Sequence, residues 1–221
     1  LTGSQVQVLE AAKGEKEVFG EVESHHPRFL LAQDTYYIGY IKGVGRLYYQ
    51  TAIDTYSNVG FAKLYLEKTY LTAADFLNDR VLPFYDGHGV RVLRVLTDHG
   101  TEYCGRVEGY PYELFLHLND IEHTKIRVRR SQINGTVERL NQIIKEEFYK
   151  VAFRKKLYRA LEEIQADLDG FMTYYNSERT NQGKHCQSKT PRMAFIEGLE
   201  LYGKYVYEYN MEEMEENEET R

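Results

Sequence analysis

Hydrophobic positions along the chain predict strands first and helices later. The run FLLAQDTYYIGYI, which starts at Phe29, is rich in β-forming residues, and RLYYQTAIDTYS and VGFAKLYLEK follow it with the same character. Gly43 and Gly45 separate the first two runs and indicate a hairpin turn. The pattern therefore predicts three antiparallel strands connected as a meander.

A helix and a buried strand are predicted after the meander. The sequence LTAADFLNDRVLPFYDGHG indicates a helix capped by Thr72, which Pro83 bends or shortens and which Gly87 and Gly89 end. The next run, VRVLRVLT, is a nearly continuous series of β-forming residues, as in a strand buried on both faces of a partly parallel sheet. This strand ends abruptly at Thr97.

The rest of the chain alternates once more and then becomes helical. Pro111 to Leu118 predicts a short helix, and Ile121 to Val128 predicts a fifth strand. A long helix follows, with core-facing residues spaced by three or four: Ile133, Val137, Leu140, Ile144, Phe148 and Val151. Further helices are predicted from about Leu157 to Tyr175 and from Thr190-Pro191 onward. This order predicts an α/β fold in which helices flank a mixed five-stranded sheet.

Composition fits a soluble globular protein of ordinary size. The chain has 221 residues, 42% of them hydrophobic, without a run of eighteen apolar residues and without the apolar segment of a signal peptide. We therefore expect a cytoplasmic protein with no membrane partner. Cys104 and Cys186 are far apart and form no CxxC pair, so neither a disulfide framework nor a zinc site is indicated.

The net charge of −6 hides an uneven distribution. Seven of the 34 acidic residues lie in the last fourteen positions, and without that tail the chain has 27 basic and 27 acidic residues. Two basic clusters stand out, namely Lys125, Arg127, Arg129 and Arg130, and then Arg154, Lys155, Lys156 and Arg159. Such clusters can bind phosphates, although a solvated face is the commoner explanation for either of them. The composition therefore permits a nucleic-acid partner.

Two acidic residues fall where a sheet commonly carries chemistry. Asp34 lies in the middle of the first strand, and an acid among apolar neighbours on a central strand is costly to bury without a partner. Asp98 follows the buried strand, at the edge of the sheet where open α/β folds place their active sites. The alternative for Asp98 is an ordinary turn residue before Gly100, and for Asp54 a turn role suffices.

A third acidic residue lies near the start of the long helix. Glu138 follows the core-facing Val137, and Gln142 and Lys145 share its face of the helix. That face presents an acid, an amide and a cation in a row. The alternative is an acid favoured only by the positive end of the helix dipole.

Together these motifs resemble a known family. Asp34 on the first strand, LTDHGTEY around Asp98 and SQINGTVERLNQIIKEEF around Glu138 are similar to the integrase core of bacterial insertion-sequence transposases, the DDE group of the RNase H-like superfamily. The resemblance spans about residues 25–200. It implies an RNase H-like fold in which Asp34, Asp98 and Glu138 form the catalytic, metal-binding triad.

The implied reaction is metal-dependent cleavage of DNA at a 3′ end, followed by transfer of that end to a target strand. Two Mg²⁺ ions about 4 Å apart, replaceable by Mn²⁺, would activate the attacking oxygen and neutralise the leaving one. Hard divalent cations prefer carboxylate oxygens and keep several waters, so three acids suffice. Asp34 would bridge both ions, with Asp98 on one and Glu138 on the other.

The resemblance also implies DNA contacts and an assembly. Gln142 and Lys145 would touch the DNA end, while Lys125, Arg127, Arg129 and Arg130 would hold phosphates without sequence preference. For these four the alternative is a solvated basic strand edge. A homodimer or a higher synaptic assembly on DNA, associated with a bacterial nucleoid, is expected.

The implied organisation has four parts. Residues 1–24 would form a helical linker after a missing helix-turn-helix domain, 25–155 the catalytic core, 156–200 helices packed on it, and 201–221 a partly flexible acidic tail. Departures from the family pattern include Ser131 where proline is common, Ile133 where threonine is common, and Asn181 where histidine is common. The spacing of thirty-nine residues between Asp98 and Glu138 is wider than usual, which CGRVEGYPYE can absorb as a loop insertion.

Two other functions fit the same residues. An RNase H-like nuclease would cut strands without joining them, although the helices after Glu138 and the linker-like start favour a transposase. A non-mobile or decayed core would only bind DNA or dimerise. Geometry separates these readings, because an active core needs Asp34, Asp98 and Glu138 to converge.

Overall fold

The computed structural model describes residues 24–104, 110–125 and 131–204. The predicted amino-terminal helix and the acidic tail lie outside these residues. So do Arg127, Arg129 and Arg130, together with the end of the predicted fifth strand. Among the described residues, no helix is both long enough and apolar enough to cross a lipid bilayer.

Five strands form one mixed sheet. They are β1 (Leu31–Ile41), β2 (Gly45–Asp54), β3 (Gly60–Tyr65), β4 (Arg94–Thr97) and β5 (Glu122–Lys125), arranged in the order β3-β2-β1-β4-β5. The pairs β1–β2 and β2–β3 are antiparallel, whereas β1–β4 and β4–β5 are parallel. The predicted meander and the mixed five-stranded sheet are confirmed, with β1 in the centre.

Helices cover both faces of the sheet. In chain order they are α1 (Tyr70–Phe76), α2 (Leu82–Gly87), α3 (Tyr110–Leu118), α4 (Ser131–Ile143), α5 (Lys150–Lys155), α6 (Leu161–Ser177) and α7 (residues 191–204). One core contains Leu140 of α4 and Leu168 of α6 against Ala32. The other contains Phe76 of α1 and Phe195 of α7 against Leu31. Because Leu31 and Ala32 are consecutive, β1 contributes alternate side chains to the two cores.

The edge strand β3 is covered by side chains of α6. The Asn176 amide accepts a hydrogen bond from Gly60 N–H at 2.9 Å and donates one to the Gly60 carbonyl at 2.8 Å. Farther along the strand, Gln165 Oε1 accepts from Leu64 N–H at 2.7 Å. These contacts satisfy backbone groups that a further strand would otherwise pair, so α6 closes this edge of the sheet.

The first helix begins three residues earlier than the sequence indicated. Thr69 is its N-cap: the Thr69 hydroxyl accepts from Thr72 N–H at 3.2 Å, and the Thr72 hydroxyl accepts from Thr69 N–H at 3.1 Å. The prediction of Thr72 as the cap was therefore wrong. Thr72 is the other member of a reciprocal capping box, which is why the pattern pointed to it.

Pro83 interrupts regular helix geometry, as predicted. A π-helical segment, Leu77–Val81, connects α1 to α2, and Pro83 lies in the first turn of α2. Proline has no N–H to donate, and the wider π turn before it places Pro83 where a new helical turn begins and no intrahelical donor is required.

A second π-helical segment, Ile144–Tyr149, connects α4 to α5 and changes which residues face the core. Val137, Leu140, Ile144 and Phe148 are buried as predicted, but Val151 is 41% exposed. A π turn uses more residues than an α turn, so the positions after it rotate away from the predicted stripe. The prediction for Val151 was wrong for this reason.

Candidate active site

The register of the central parallel strands places Asp34 beside Asp98. Ala32 of β1 pairs with Leu96 of β4, and each acid lies two residues beyond its member of this pair. Side chains alternate along a strand, so both acids continue on the face of Ala32 and Leu96. Asp98 directly follows the carboxyl end of β4, and Asp34, the fourth residue of β1, lies just beyond the last parallel pair of these strands. α/β sheets commonly bind ligands where their parallel strands end.

The Asp34 carboxylate is held by two donors on different elements. Thr35 N–H donates to Oδ1 at 2.8 Å, and the side-chain amide of Asn141 donates to Oδ2 at 2.8 Å. Asn141 belongs to α4, so this contact connects the long helix directly to the central strand. The orientation of Asp34 is therefore fixed on both sides.

Asn141 is itself locked in place. It is only 5% exposed, and its Oδ1 accepts a hydrogen bond from the Thr51 hydroxyl at 2.7 Å. The Tyr49 hydroxyl also donates to the Asn141 carbonyl at 3.3 Å. The sequence analysis missed this residue. The available signal was a polar side chain directly after the core-facing Leu140 and three residues after Glu138.

The surroundings of Asp34 are electronegative. Burial raises the pKa of Asp34, the negative charge of Asp98 raises it further, and the Thr35 N–H bond opposes both. The charge of Glu102 also raises this pKa, while Lys68 lowers it. Asp34 and Asp98 thus repel each other across a shared space, and a cation between them would relieve that repulsion.

Asp98 also has the turn role that the sequence left open. Gly100 N–H donates to Asp98 Oδ1 at 2.8 Å, which closes a tight turn after β4. Behind the turn, the Thr97 hydroxyl lies 3.0 Å from the Asp98 carbonyl and 2.8 Å from Nε2 of His123. Burial lowers the pKa of His123 to about 3, so its ring is neutral at physiological pH. Asp98 therefore both closes the turn after β4 and lies at the candidate site.

A buried polar network connects this turn to the sheet. The Tyr103 hydroxyl donates to Gln50 Oε1 at 3.0 Å and lies 2.8 Å from the Thr35 hydroxyl. Gln33 bonds Gln50 at 3.2 Å and accepts from the Tyr112 hydroxyl at 2.7 Å. Gln50 Nε2 is buried without a partner among the described residues, but the other contacts connect Tyr103, just after the Asp98 turn, to β1 and β2.

Glu138 is exposed on α4. It precedes Asn141 by three residues, roughly 4.5 Å along the helix axis and on the same side of the helix. No group of three or more His, Cys, Asp or Glu side chains in the described parts of the chain is close enough to hold a metal ion. The structure brings Asp34 and Asp98 together, and the role of Glu138 stays a prediction.

The predicted DNA contacts have different surroundings. Gln142 is exposed on α4, with its amide donating to Glu146 at 3.1 Å, and Lys145 is exposed in the π-helical segment that follows. Lys125 is engaged instead in an ion pair with Glu113 at 2.5 Å, so part of its charge is already neutralised. The three arginines of this cluster lie outside the described residues.

The donor set fits the divalent metal that the resemblance implies. Asp34 and Asp98 provide hard carboxylate oxygens in a common electronegative space, which suits Mg²⁺ or Mn²⁺. Mg²⁺ keeps several waters and needs few protein ligands, so the two carboxylates of Asp34 and Asp98 suit its coordination.

Sequence comparison places the chain beside integrases. Residues 119–191 match the family model described as "Integrase core domain", a segment that contains β5, α4 and α6. A protein of Spiroplasma virus SpV1-C74 named "Putative integrase ORF3" is 26% identical over 197 residues, which is 82% of this chain and 52% of that protein. The chain thus spans about half the length of this curated relative.

Structural comparison agrees. The HTLV-2 integrase catalytic core domain, solved with magnesium in a dimeric form, matches with a TM-score of 0.59 and 17% identity over 78% of this chain and 99% of that one. The catalytic core domain of BIV integrase matches with a TM-score of 0.59 and 19% identity over 82% and 99%. A chain of a simian T-cell lymphotropic virus intasome complex gives a TM-score of 0.62 and 19% identity over 81% and 59%. The chain therefore resembles integrases in the sequence of its core domain and has the RNase H-like fold of their catalytic cores.

Proposed function

We propose that this chain is the catalytic core of a DNA transposase or integrase, a metal-dependent polynucleotidyl transferase. The observation that carries the proposal is the placement of Asp34, just beyond the parallel pairing of β1 with β4, beside Asp98 at the carboxyl end of β4. The integrase core match over residues 119–191 supports the same conclusion from an independent part of the chain.

The proposed reaction has two phosphoryl transfers. Water attacks a phosphodiester at the end of a DNA element, and a 3′-hydroxyl leaves. That hydroxyl then attacks a phosphodiester of the target strand, which forms the new bond and releases the target's own 3′-hydroxyl. Bound Mg²⁺ would supply the Lewis acid for both attacking and leaving oxygens.

Individual residues of the chain have distinct roles in this proposal. Asp34 and Asp98 hold the metal, and Asn141 keeps Asp34 oriented through its 2.8 Å hydrogen bond. Glu138 completes the ligand set from α4 when DNA and metal are bound. Asn141 already holds this helix against Asp34, so Glu138 would reach the metal by a change of its own side chain and its turn of the helix.

The DNA lies along the exposed side of α4 in this proposal. Gln142 and Lys145 contact the element end, and Arg127, Arg129 and Arg130 contact phosphates of the backbone. Lys125 contributes less than its neighbours because Glu113 already pairs with it. The active assembly is a homodimer or a larger complex on two DNA ends.

A second candidate is a core that binds DNA or dimerises without catalysis. The specific observation that favours it is the exposure of Glu138 and its separation from the two aspartates. An active core and a decayed core differ in whether Glu138 reaches the other two acids once DNA is bound.

Strand transfer distinguishes the two candidates. Duplexes carrying the ends of the DNA element that encodes the chain are incubated with the protein, Mg²⁺ or Mn²⁺, and a target plasmid. We expect 3′-end cleavage and joined products from the wild type and from the control Asp120→Asn, whose carboxylate is exposed on the surface. Asp98→Asn should give neither product. Full activity in Asp98→Asn would refute the assignment, and DNA binding without any cleavage by the wild type would favour the decayed core.

A further inference from the structure

Glu102 is a buried acid with one carboxylate oxygen unsatisfied. The side chain is 1% exposed, and Oε1 forms an ion pair with Lys68 Nζ at 2.9 Å. Oε2 is buried and has no hydrogen-bond partner among the described residues. A buried charged oxygen without a partner is costly, so this atom requires an explanation.

The unsatisfied oxygen faces the Asp98 turn. A β-carbon added at Gly100 would lie 2.6 Å from Glu102 Oε2 and 2.9 Å from Asp98 Oδ1. The two carboxylates therefore pack against the same small space, and only glycine leaves room for both. Asp98 and Glu102 are like charges, and a nearby cation would make this arrangement favourable.

The charged groups of this pocket carry an excess negative charge that one divalent cation would balance. Asp34, Asp98 and Glu102 carry three negative charges when ionised, and Lys68 carries one positive charge. Lys68 pairs with Glu102 Oε1, and Glu102 Oε2 and Asp98 Oδ1 lie against the same position of Gly100, so these groups form one cluster beside Asp34. The net charge of −2 is the charge that one Mg²⁺ or Mn²⁺ neutralises.

We propose that Glu102 is an outer-sphere residue of the metal site, whose Oε2 accepts a hydrogen bond from a water bound to the ion held by Asp34 and Asp98. This inference rests on the proposed function, because it assumes that the two aspartates hold metal. The outer-sphere position follows from the described residues, in which no three acids are close enough to coordinate one ion directly. Lys68 is the counterion of Glu102 in this pocket.

The role of Lys68 follows from the same arrangement. Its ammonium group lies 2.9 Å from Glu102 Oε1, so its positive charge opposes a metal ion bound beside Glu102. Its side chain is 38% exposed, so this cation can leave Glu102 for solvent or for a DNA phosphate when metal arrives. Glu102 and Lys68 then tune the affinity of the site without coordinating the ion.

Manganese binding tests the inference without relying on activity. The full chain is titrated with Mn²⁺ alone, and the free ion is followed by electron paramagnetic resonance. We expect Glu102→Gln to weaken Mn²⁺ binding about 10-fold, the usual effect of losing an outer-shell partner. The control Glu122→Gln, which removes an exposed acid paired with Arg94, should bind as the wild type does. Lys68→Met should bind Mn²⁺ more tightly.

Protein integrity is checked by thermal unfolding of each variant. The glutamine of Glu102→Gln can donate to Asp98, so this variant should unfold at the same temperature as the wild type or higher. If Glu102→Gln folds poorly, Lys68→Met still tests the proposal. Mn²⁺ should raise the unfolding temperature of Lys68→Met more than it raises that of the wild type. Equal Mn²⁺ responses in Lys68→Met and wild type would contradict the proposal.

The aspartate variants separate this inference from the proposed function. Loss of Mn²⁺ binding in Asp98→Asn, with unchanged affinity in Glu102→Gln, would overturn the role of Glu102 alone and leave a water molecule as the partner of Oε2. Unchanged Mn²⁺ binding in Asp98→Asn would overturn the metal site itself, and the proposed function with it.

Discussion

The side-chain amide of Asn141 donates a 2.8 Å hydrogen bond to Oδ2 of Asp34, across the interface between helix α4 and strand β1. The same amide group accepts from Thr51 on β2, so one buried residue connects three elements at the candidate site. The helix that carries Glu138 is thereby positioned by the acid with which Glu138 is proposed to act.

Replacing Asn141 tests this connection. Asn141→Ala removes the partner of Asp34 Oδ2 and the shorter hydrogen bond of the Thr51 hydroxyl in a buried environment, which should lower the free energy of unfolding by about 1–3 kcal/mol. Strand transfer should also fall, because Asp34 loses its orientation. Urea denaturation and the strand-transfer assay measure the two effects. Gln142→Ala, at the exposed neighbouring position, should unfold at the wild-type urea midpoint, and equal midpoints for both variants would contradict the argument.

Asp98→Asn should make the protein more stable at neutral pH. The charge of Asp98 helps to raise the pKa of Asp34, so the folded state binds the Asp34 proton more tightly than the unfolded state does. That contribution to stability is present at acidic pH and is lost as pH rises through the folded pKa. Removing the Asp98 charge reduces the loss.

Urea denaturation at several pH values checks this prediction. The urea midpoint of Asp98→Asn should exceed that of the wild type at pH 7, and the difference should shrink as pH falls through the raised pKa of Asp34, where this carboxylate becomes protonated. Mg²⁺ should stabilise the wild type and not the variant. A constant difference across the whole pH range would show that the two carboxylates do not interact.

Glu138→Gln should separate catalysis from stability. Glu138 is exposed, so the free energy of unfolding of the protein should change by less than about 0.5 kcal/mol, as for an ordinary surface substitution. Cleavage and strand transfer should nevertheless fall to background, because the proposed ligand set loses its third acid. Glu162→Gln, on α6 and exposed, is the matched control. Wild-type activity in Glu138→Gln would remove this residue from the site.

The cover of the sheet edge makes a prediction about stability alone. Asn176→Ala removes both hydrogen bonds to Gly60 and leaves these backbone groups without their partner, which should cost about 1–3 kcal/mol. Thr173→Ala, at an exposed position of the same helix, is the comparison. Chemical denaturation followed by circular dichroism gives the difference, and similar unfolding free energies for both variants would show that water replaces Asn176 without loss.

The sequence predicted the order of the elements because hydrophobic period and turn residues are local. The strand-like runs separated by Gly43 and Gly45 became β1 and β2, and the abrupt end of the apolar run at Thr97 became the end of β4. Asp34 and Asp98 could be chosen from these features, since a strand's position and its end are visible in the sequence. Their placement side by side depended on the parallel register, which only the fold provides.

Other features depend on partners far away in the chain. The ion pairs of Lys125 with Glu113 and of Lys68 with Glu102 join separate elements, so composition alone presented Lys125 as a phosphate anchor and left Glu102 unnoticed. The exposure of Val151 arises from a π-helical segment, whose extra residue per turn breaks the three-and-four spacing.

Anomalous diffraction from crystals of the full chain with a DNA end and Mn²⁺ tests the central claim most directly. The account predicts a manganese peak between the carboxylates of Asp34 and Asp98, with Glu138 drawn toward a second peak. An ordered site with the DNA end in place and no manganese at either aspartate would contradict it.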